Sequence, residues 1–516
     1  MAAAGAFDTI VVGGGPAGAV MAWSLAARGI RVAVVDRANF PRDKVCGDFV
    51  EPAGLRILRA IGCMAPVAAA ARLPIETTRI FIGPRVAYHG NVPYNEARHG
   101  LPPHGGLVPR HDLDTHLLRH AQAAGATVFE GCAVTDIARA DGMMRVAARG
   151  GRRGFMLRAP LVVGADGTES IVARRAGLWT NDRRYTVIAQ RGYAEGVRVD
   201  CGEATIGFDD DIFPGYGWMF PMPDGRVNVG VGVLAETCHR FNFSVPRLLD
   251  AFLEKLRRRH PACAGLRLTG RPVGGVVRGY GAAGQNHFTG GLLIGDAGSF
   301  VDPMTGEGIT PGMESALLAS ATLERALAAG RFDAAFLASF ERDFRRYFDP
   351  AMRYLDLCAT MLRNRHFRHF WLETGRRMYA EASVDTEFAR VAGATFGGLD
   401  VRPLPILAQI WTRSFTVLGE AGLQAALGFF GLGQPLAPRW GGAYAAWARG
   451  WRRSLTQDPG WTMSWLADLA RASRAVQETV CIARSPRVEG DILNLIGRGR
   501  LLSRPDRRDA AAHPGD

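Results

Sequence analysis

Lysine is nearly absent from this 516-residue chain: Lys44 and Lys255 are the only two among 62 Lys and Arg residues. The formal net charge of +13 is therefore almost wholly arginine. No basic run or nucleic-acid motif accompanies it, so no nucleic-acid partner is expected. Cysteine is sparse as well. The eight cysteines stand far apart, without a CxxC pair or Cys/His cluster, which argues against a metal site or a disulfide framework. Long apolar runs are missing too. The most apolar late stretch, 404–432, is broken by Arg413 and Glu420, so no transmembrane helix is expected. The first strand is expected by residue 9, which leaves no space for a signal peptide. A reduced, cytoplasmic setting fits the cysteine usage.

What is present describes a globular protein. Hydrophobic residues make up 47% and charged residues 22%, over a length that calls for two or three substructures. The stretch from Thr9 to Arg37 organises the rest. An apolar run, Ile10 to Val12, meets Gly13, Gly15 and Gly18, then a small-residue helix, then a second apolar run ending in Asp36. Gly13 permits the tight strand-to-helix turn, Gly15 admits a pyrophosphate to the backbone, and Gly18 lets helix and strand pack closely. The helix N-terminus offers N–H groups and a positive dipole end to phosphates. Asp36 is placed to accept hydrogen bonds from a ribose hydroxyl. Strand, helix, strand and acid in register predict a dinucleotide site.

Further along, helical text near Leu55–Ile61 precedes strand-like text at Thr78–Ile82. A helix follows Arg110, with Asp112 or Asp114 as its expected cap. Strands are expected at Arg145–Ala148 and Phe155–Leu157, and Leu161–Ser170 carries Asp166-Gly167. From Thr186 to Leu234 the text is strand-rich, with a hairpin turning at Pro223-Asp224-Gly225. A helix is expected over Val245–Arg259, a strand at Leu292–Ile294, and a long helix over 309–328. Beyond about 335 the pattern is helical. The expected architecture is α/β. Residues 1–180 and 270–335 form a discontinuous Rossmann-like dinucleotide domain, with part of a substrate domain within 70–110. Residues 181–269 form the inserted β-sheet substrate domain, 336–500 are helical, and 501–516 form a disordered tail.

Three dispersed motifs belong together: Gly13-x-Gly15-x-x-Gly18, Ala165-Asp166-Gly167, and Gly295-Asp296 followed by Asp302-Pro303 and Thr305-Gly306-Glu307-Gly308. The set resembles the FAD-containing oxidoreductases of the glutathione-reductase-like fold, in the branch that includes aromatic hydroxylases. That resemblance implies FAD as cofactor. Gly13, Gly15, Pro16, Ala17 and Gly18, with Asp36, Arg37 and Val134, would hold the ADP half. Arg110 would lie near the pyrophosphate. Asp166-Gly167 would support the phosphate region, though alone the pair reads as a strand-ending turn. Gly295 and Asp296 would meet the ribityl chain. Pro303, Gly306, Gly308 and Ile309, opening the 309–328 helix, would aim N–H groups at the flavin edge where charge builds up on reduction.

Within that fold, Pro41–Pro52, Pro214–Pro221 and Gly295–Ile309 together resemble the geranylgeranyl reductase family, over about residues 7–400. Its enzymes saturate isoprenoid double bonds in lipids, chlorophyll or quinone tails. The resemblance maps a flavin-side Cys-Gly pair onto Cys46-Gly47 and a Tyr-x-Trp-x-Phe-Pro motif onto Tyr216, Trp218, Phe220 and Pro221. Cys46 reads either as a thiol that tunes the flavin or assists proton delivery, or as a small buried residue. Lys44 reads as a phosphate partner or a solvated loop lysine. Tyr216 and Trp218 read as walls of an apolar pocket or as plain core. The function implied is reduction of carbon–carbon double bonds in an isoprenoid or other large apolar substrate, with NADPH or another reductant supplying electrons. The alternative is a monooxygenase acting through a flavin C4a-hydroperoxide, since both need a dry cavity. A halogenase or a non-catalytic prenyl carrier fits less well.

Six of the ten tryptophans follow residue 400. Trp440, Tyr444, Trp447 and Trp451 fall on one helical stripe, which reads first as a face packed on the main body. Its other reading is a peripheral contact with the inner face of a membrane, or the mouth of a lipid-sized pocket.

Overall fold

The computed structural model describes residues 7–91, 102, 104–198, 202–385 and 441–482. Its centre is a six-stranded sheet built on Thr9–Val12. That strand pairs in parallel with Val32–Val35 on one side and Leu161–Gly164 on the other, Thr9 lying opposite both Val32 and Leu161. All three are buried along their length, as expected where helices cover both faces. Gly291–Leu293 and Thr127–Phe129 extend the sheet in parallel, and only the His287–Phe288 edge runs antiparallel. The expected α/β class holds.

Against this sheet the helix Pro16–Ala26 packs on the helix Ile309–Ala329. Small residues permit the approach, and Ser24 Oγ donates to Ser320 Oγ at 2.9 Å across it. The loop leading into the second helix is anchored by Phe300, fully buried among Phe340, Phe344 and Phe348, with the Phe344 ring edge-on at 5.0 Å. The backbone of residues 295–308 is thereby fixed from below.

A second, mostly antiparallel sheet lies beside the first. Thr186–Glu195, Val227–Leu234, Tyr216–Pro221 and Glu203–Phe208 run side by side, and Thr77–Ile82 joins them from far upstream by a parallel pairing. The expected hairpin is there, with Met219 opposite Val229. The helix Val245–Arg259 buries Leu249, Phe252, Leu253 and Leu256 on one face of this sheet.

One expected detail is corrected. The helix after Arg110 spans Arg110–Ala123 with Pro109 at its N-cap position, so neither Asp112 nor Asp114 caps it. Asp114 is fully buried and takes ion pairs from Arg110 (2.7 Å) and Arg42 (2.9 Å), which outbid a local capping bond.

Late in the chain come the helices Ala334–Leu362, Arg368–Ala382, Gly441–Gln457 and Pro459–Ile482. The aromatic stripe is divided. Trp451 packs edge-on against Phe367 at 5.2 Å, and Gly450 leaves room for that ring, whereas Trp447 is 39% exposed. Trp440, the Tyr444 side chain, the stretch 404–432 and the tail from 501 lie outside the described residues. No described helix is long and apolar enough to cross a membrane.

Candidate active site

The strand-to-helix turn at Gly13 is built for a backbone approach. Gly13 has φ +102°, and a Cβ there would stand 2.3 Å from the Ala165 carbonyl oxygen. A Cβ on Gly18 would meet the Gly13 carbonyl at 1.9 Å. Gly15 differs from both. Its nearest neighbour would be the tip of Arg42 at 3.5 Å, so this glycine leaves space open to something outside the chain. Gly15 is the N-cap of the Pro16–Ala26 helix and offers no side chain to its amides. A phosphate suits that donor set. Asp36 Oδ2 accepts from Gly14 N–H at 2.7 Å and Oδ1 from Ala38 N–H at 2.8 Å, which orients the carboxylate at the end of its strand.

From this turn a cavity of about 540 Å³ runs between the two sheets. Its near end is bordered by Pro16, Ala17, Gly295, Asp296, Gly308 and Ile309. Cys46, Gly47, Arg110, Tyr216 and Trp218 form its middle, with Lys44, Gly167, Pro303 and Gly306 also on its border. Its far end is apolar, walled by Leu357, Met361, Leu362, Trp371, Leu372 and Tyr379 from the late helices. Fifteen of the residues singled out from sequence therefore meet on one surface. Gly13, Gly15, Gly18, Asp36, Arg37, Val134 and Asp166 do not border it. Gly13 to Gly18 and Asp36 cluster at the ends of adjacent parallel strands, where open α/β sheets bind ligands. Arg37 is exposed just beyond, and Val134 is half-buried on Cys132–Ala140. The Asp166 carboxylate faces the other way. It accepts from Ser170 Oγ (2.5 Å) and Ile171 N–H (2.7 Å) at the start of the Ile171–Arg175 helix.

Charge in the cavity is internally matched. Lys44 Nζ sits 3.0 Å from Asp296 Oδ2, so its partner is a carboxylate of the chain itself. Gly308 is held to glycine by the same carboxylate, since a Cβ would lie 2.9 Å from Asp296 Oδ1. Burial pushes the Cys46 thiol up, against the pull of the Arg110 guanidinium, so a neutral thiol lines the cavity. Tyr216 is also pushed up by burial, with Asp302, Cys46, Glu307 and Glu51 adding to the shift. Its hydroxyl donates to the Thr305 carbonyl.

Sequence reading missed the brace behind these aromatics. Asn228 is wholly buried on Val227–Leu234; it accepts from Trp218 Nε1 (2.9 Å) and donates to the Cys46 carbonyl and to Asp48 Oδ2 (2.8 Å each). Asp48, with φ +63°, also accepts from Tyr193 OH at 2.8 Å. A lone asparagine inside the valine-glycine run VNVGVGV was the available signal. Gly230 completes the arrangement, because a Cβ there would strike the Trp218 ring at 2.3 Å.

The chain's similarities agree with this geometry. Residues 6–190 match the family described as FAD binding domain. Menaquinone reductase of Mycolicibacterium smegmatis is 32% identical over 406 residues, covering 75% of this chain and 91% of that protein. Digeranylgeranylglycerophospholipid reductase 2 of Methanothermobacter thermautotrophicus is 30% identical over 352 residues, covering 66% and 83%. A geranylgeranyl bacteriochlorophyll reductase-like protein of Thermoplasma acidophilum shares the fold, with a TM-score of 0.64 at 23% identity over 78% of this chain and 99% of that one. With its glycine cradle, its cavity and these relatives, the chain belongs to the geranylgeranyl reductase family and is an FAD-dependent oxidoreductase.

Proposed function

We propose that this oxidoreductase saturates carbon–carbon double bonds of an isoprenoid chain carried by a large apolar substrate. The observation that carries the reading is the continuity of the cavity. One space joins the glycine cradle at Pro16, Gly295 and Gly308 to an apolar wall of Leu357, Met361, Leu362 and Leu372. A small polar substrate has no use for such a wall. A hydrocarbon chain gains about 0.8 kcal/mol for each methylene it buries there.

FAD supplies the hydride when bound and reduced. The chain's residues do the rest. Gly13, Gly15 and Gly18 give the pyrophosphate its backbone approach, Asp36 and Arg37 flank the adenosine ribose, and Asp296 with Gly308 and Ile309 holds the flavin side. Cys46, Tyr216 and Trp218 form the face on which the double bond lies. Tyr216 and Trp218 have their polar hydrogens tied to Thr305 and Asn228, so they present ring surface and exclude water.

The electron donor is NADPH or another cellular reductant. Exposed Leu455, Met463 and Trp447 beside exposed Arg452 and Arg453 support peripheral contact with an anionic membrane, from which a lipid-borne substrate would be drawn. Six free cysteines among the described residues suit action on the reducing, cytoplasmic side.

The test reduces FAD-loaded protein with dithionite without air, adds a polyprenyl lipid or quinone, and admits oxygen afterwards. Flavin reoxidation before air, with a product heavier by two hydrogens, is expected. A product that gains one oxygen atom only after air would establish the monooxygenase instead.

A further inference from the structure

Saturating a double bond needs a proton as well as a hydride, and the candidate donors in the cavity differ in how free their protons are. The Tyr216 hydroxyl donates its hydrogen bond to the Thr305 carbonyl, the Trp218 N–H is held by Asn228, and burial pushes the Cys46 thiol up and so makes it a poorer acid. Glu307 is different. It borders the cavity, and Oε1 accepts from Thr310 N–H at 2.9 Å, while Oε2 is shut off from solvent with no hydrogen-bond partner. A carboxylate oxygen left so is costly, whereas a protonated one carries a hydrogen free for a ligand.

We propose that Glu307 is the catalytic proton donor of the reduction. This rests on the reductase reading above. The substrate's π bond breaks as one carbon takes hydride, with both electrons, from reduced FAD. The other carbon takes the proton as the Glu307 Oε2–H bond breaks. Once product leaves and water enters the cavity, the carboxylate turned toward it is reprotonated, closing the cycle with two new C–H bonds. The carboxyl torsion is soft, so turning Oε2 toward the cavity costs little.

The surroundings favour the neutral acid. Burial, with the acids Asp302 and Glu314 nearby, pushes Glu307 up to about 8, although the N–H groups of Thr310 and Ile309 pull the other way. Tyr216, Cys46 and Glu51 share the same space without positive charge, and its two cations among the described residues are held by other carboxylates, Lys44 by Asp296 (3.0 Å) and Arg110 by Asp114 (2.7 Å). Glu314 is engaged by Tyr347 OH at 2.9 Å, and Asp302 by the N–H groups of Met304 (2.7 Å) and Thr305 (3.0 Å).

Sign follows from the direction of the shift. Glu307 contributes stability below its ordinary range near 4.5, and that contribution is lost as pH rises through about 8. Glu307→Gln, which cannot ionise, is therefore expected to melt like the parent protein at pH 4 and above it at pH 9. One infrared carboxylic-acid component should be missing from the variant and should disappear from the parent as pH rises through about 8. Equal melting at both pH values and no such band would overturn the proposal, whatever the activity.

Turnover is measured with dithionite-reduced FAD and a polyprenyl quinone in D2O. Glu307→Gln should bind FAD normally and lose about 100-fold or more in single-turnover rate. The parent product should carry two solvent deuteriums, one from the exchanged hydride position of the reduced FAD and one from the proton donor. Parent-like rates in the variant would sink Glu307 and leave the reductase intact. No saturated product from the parent protein would sink both.

Discussion

At one end of the cavity the chain makes room by having no side chain, and at the other it builds a wall from large ones. The cradle depends on missing atoms: Gly13 and Gly18 each leave less than 2.5 Å between a would-be Cβ and a carbonyl oxygen. The wall depends on volume, with Leu357, Leu372 and Tyr379 all nearly buried. A backbone cradle has one acceptable shape and should fail outright when filled. A side-chain wall can repack, so it should change its preference by degrees. On the proposed reading, cofactor binding and substrate choice are carried by parts of the molecule that respond to mutation in different ways.

The largest effect should come from Gly13→Ala. Positive φ and the clash with Ala165 together cost on the order of 3–5 kcal/mol, so the protein should be poorly folded and colourless. Gly15→Ala separates the two halves of that statement. No clash within the chain opposes its Cβ, so the protein should melt near normally yet bind FAD at least about 100-fold more weakly, as read from flavin absorbance in a titration. If Gly15→Ala keeps full affinity, the open side of the turn is not where the pyrophosphate lies.

Next comes the brace between the two ends. Asn228→Ala would strip partners from the Trp218 N–H, the Cys46 carbonyl and one oxygen of Asp48, all in the interior. Leaving such groups unpaired costs about 3 kcal/mol, seen as a fall of several degrees in Tm. Because the cradle is untouched, the purified variant should still be yellow.

How much of this was legible in the sequence follows the same division. A glycine turn is a local requirement, so Gly13 to Asp36 could be read directly, as could the 216–234 hairpin and the helix Val245–Arg259. Asp48 and Asn228 could not, because they meet across 180 positions. Asp114 was misread as a possible cap since its real partners, Arg42 and Arg110, are set by packing. Glu307 stood in plain view within Thr305–Gly308. What marks it is the burial of one oxygen, which no spacing encodes. The far wall was the least legible, because apolar residues at helical spacing look alike whether they face a core or a cavity.

Leu362→Phe tests the wall. The added ring volume should displace roughly two methylenes of a long chain, raising KM about 10-fold for a long polyprenyl substrate and little for a short one. FAD affinity should not move. Equal loss on both substrates would mean that the wall is core and the chain lies elsewhere.

The smallest effect belongs to the outer surface of the last helices. Leu455 and Met463 are 49% and 62% exposed, while Trp451 on the neighbouring face is anchored on Phe367. Replacing both exposed residues with serine removes no internal contact of consequence, so Tm should stay within about 2 °C. Side chains that only reach the headgroup level bury a fraction of their area, so cosedimentation with anionic vesicles should weaken about 5-fold. The remaining attraction comes from Arg452 and Arg453 and should fade as salt is raised. Binding that is indifferent to both the serines and the salt would remove the membrane from the account of how substrate arrives, and leave the cavity's two ends as they stand.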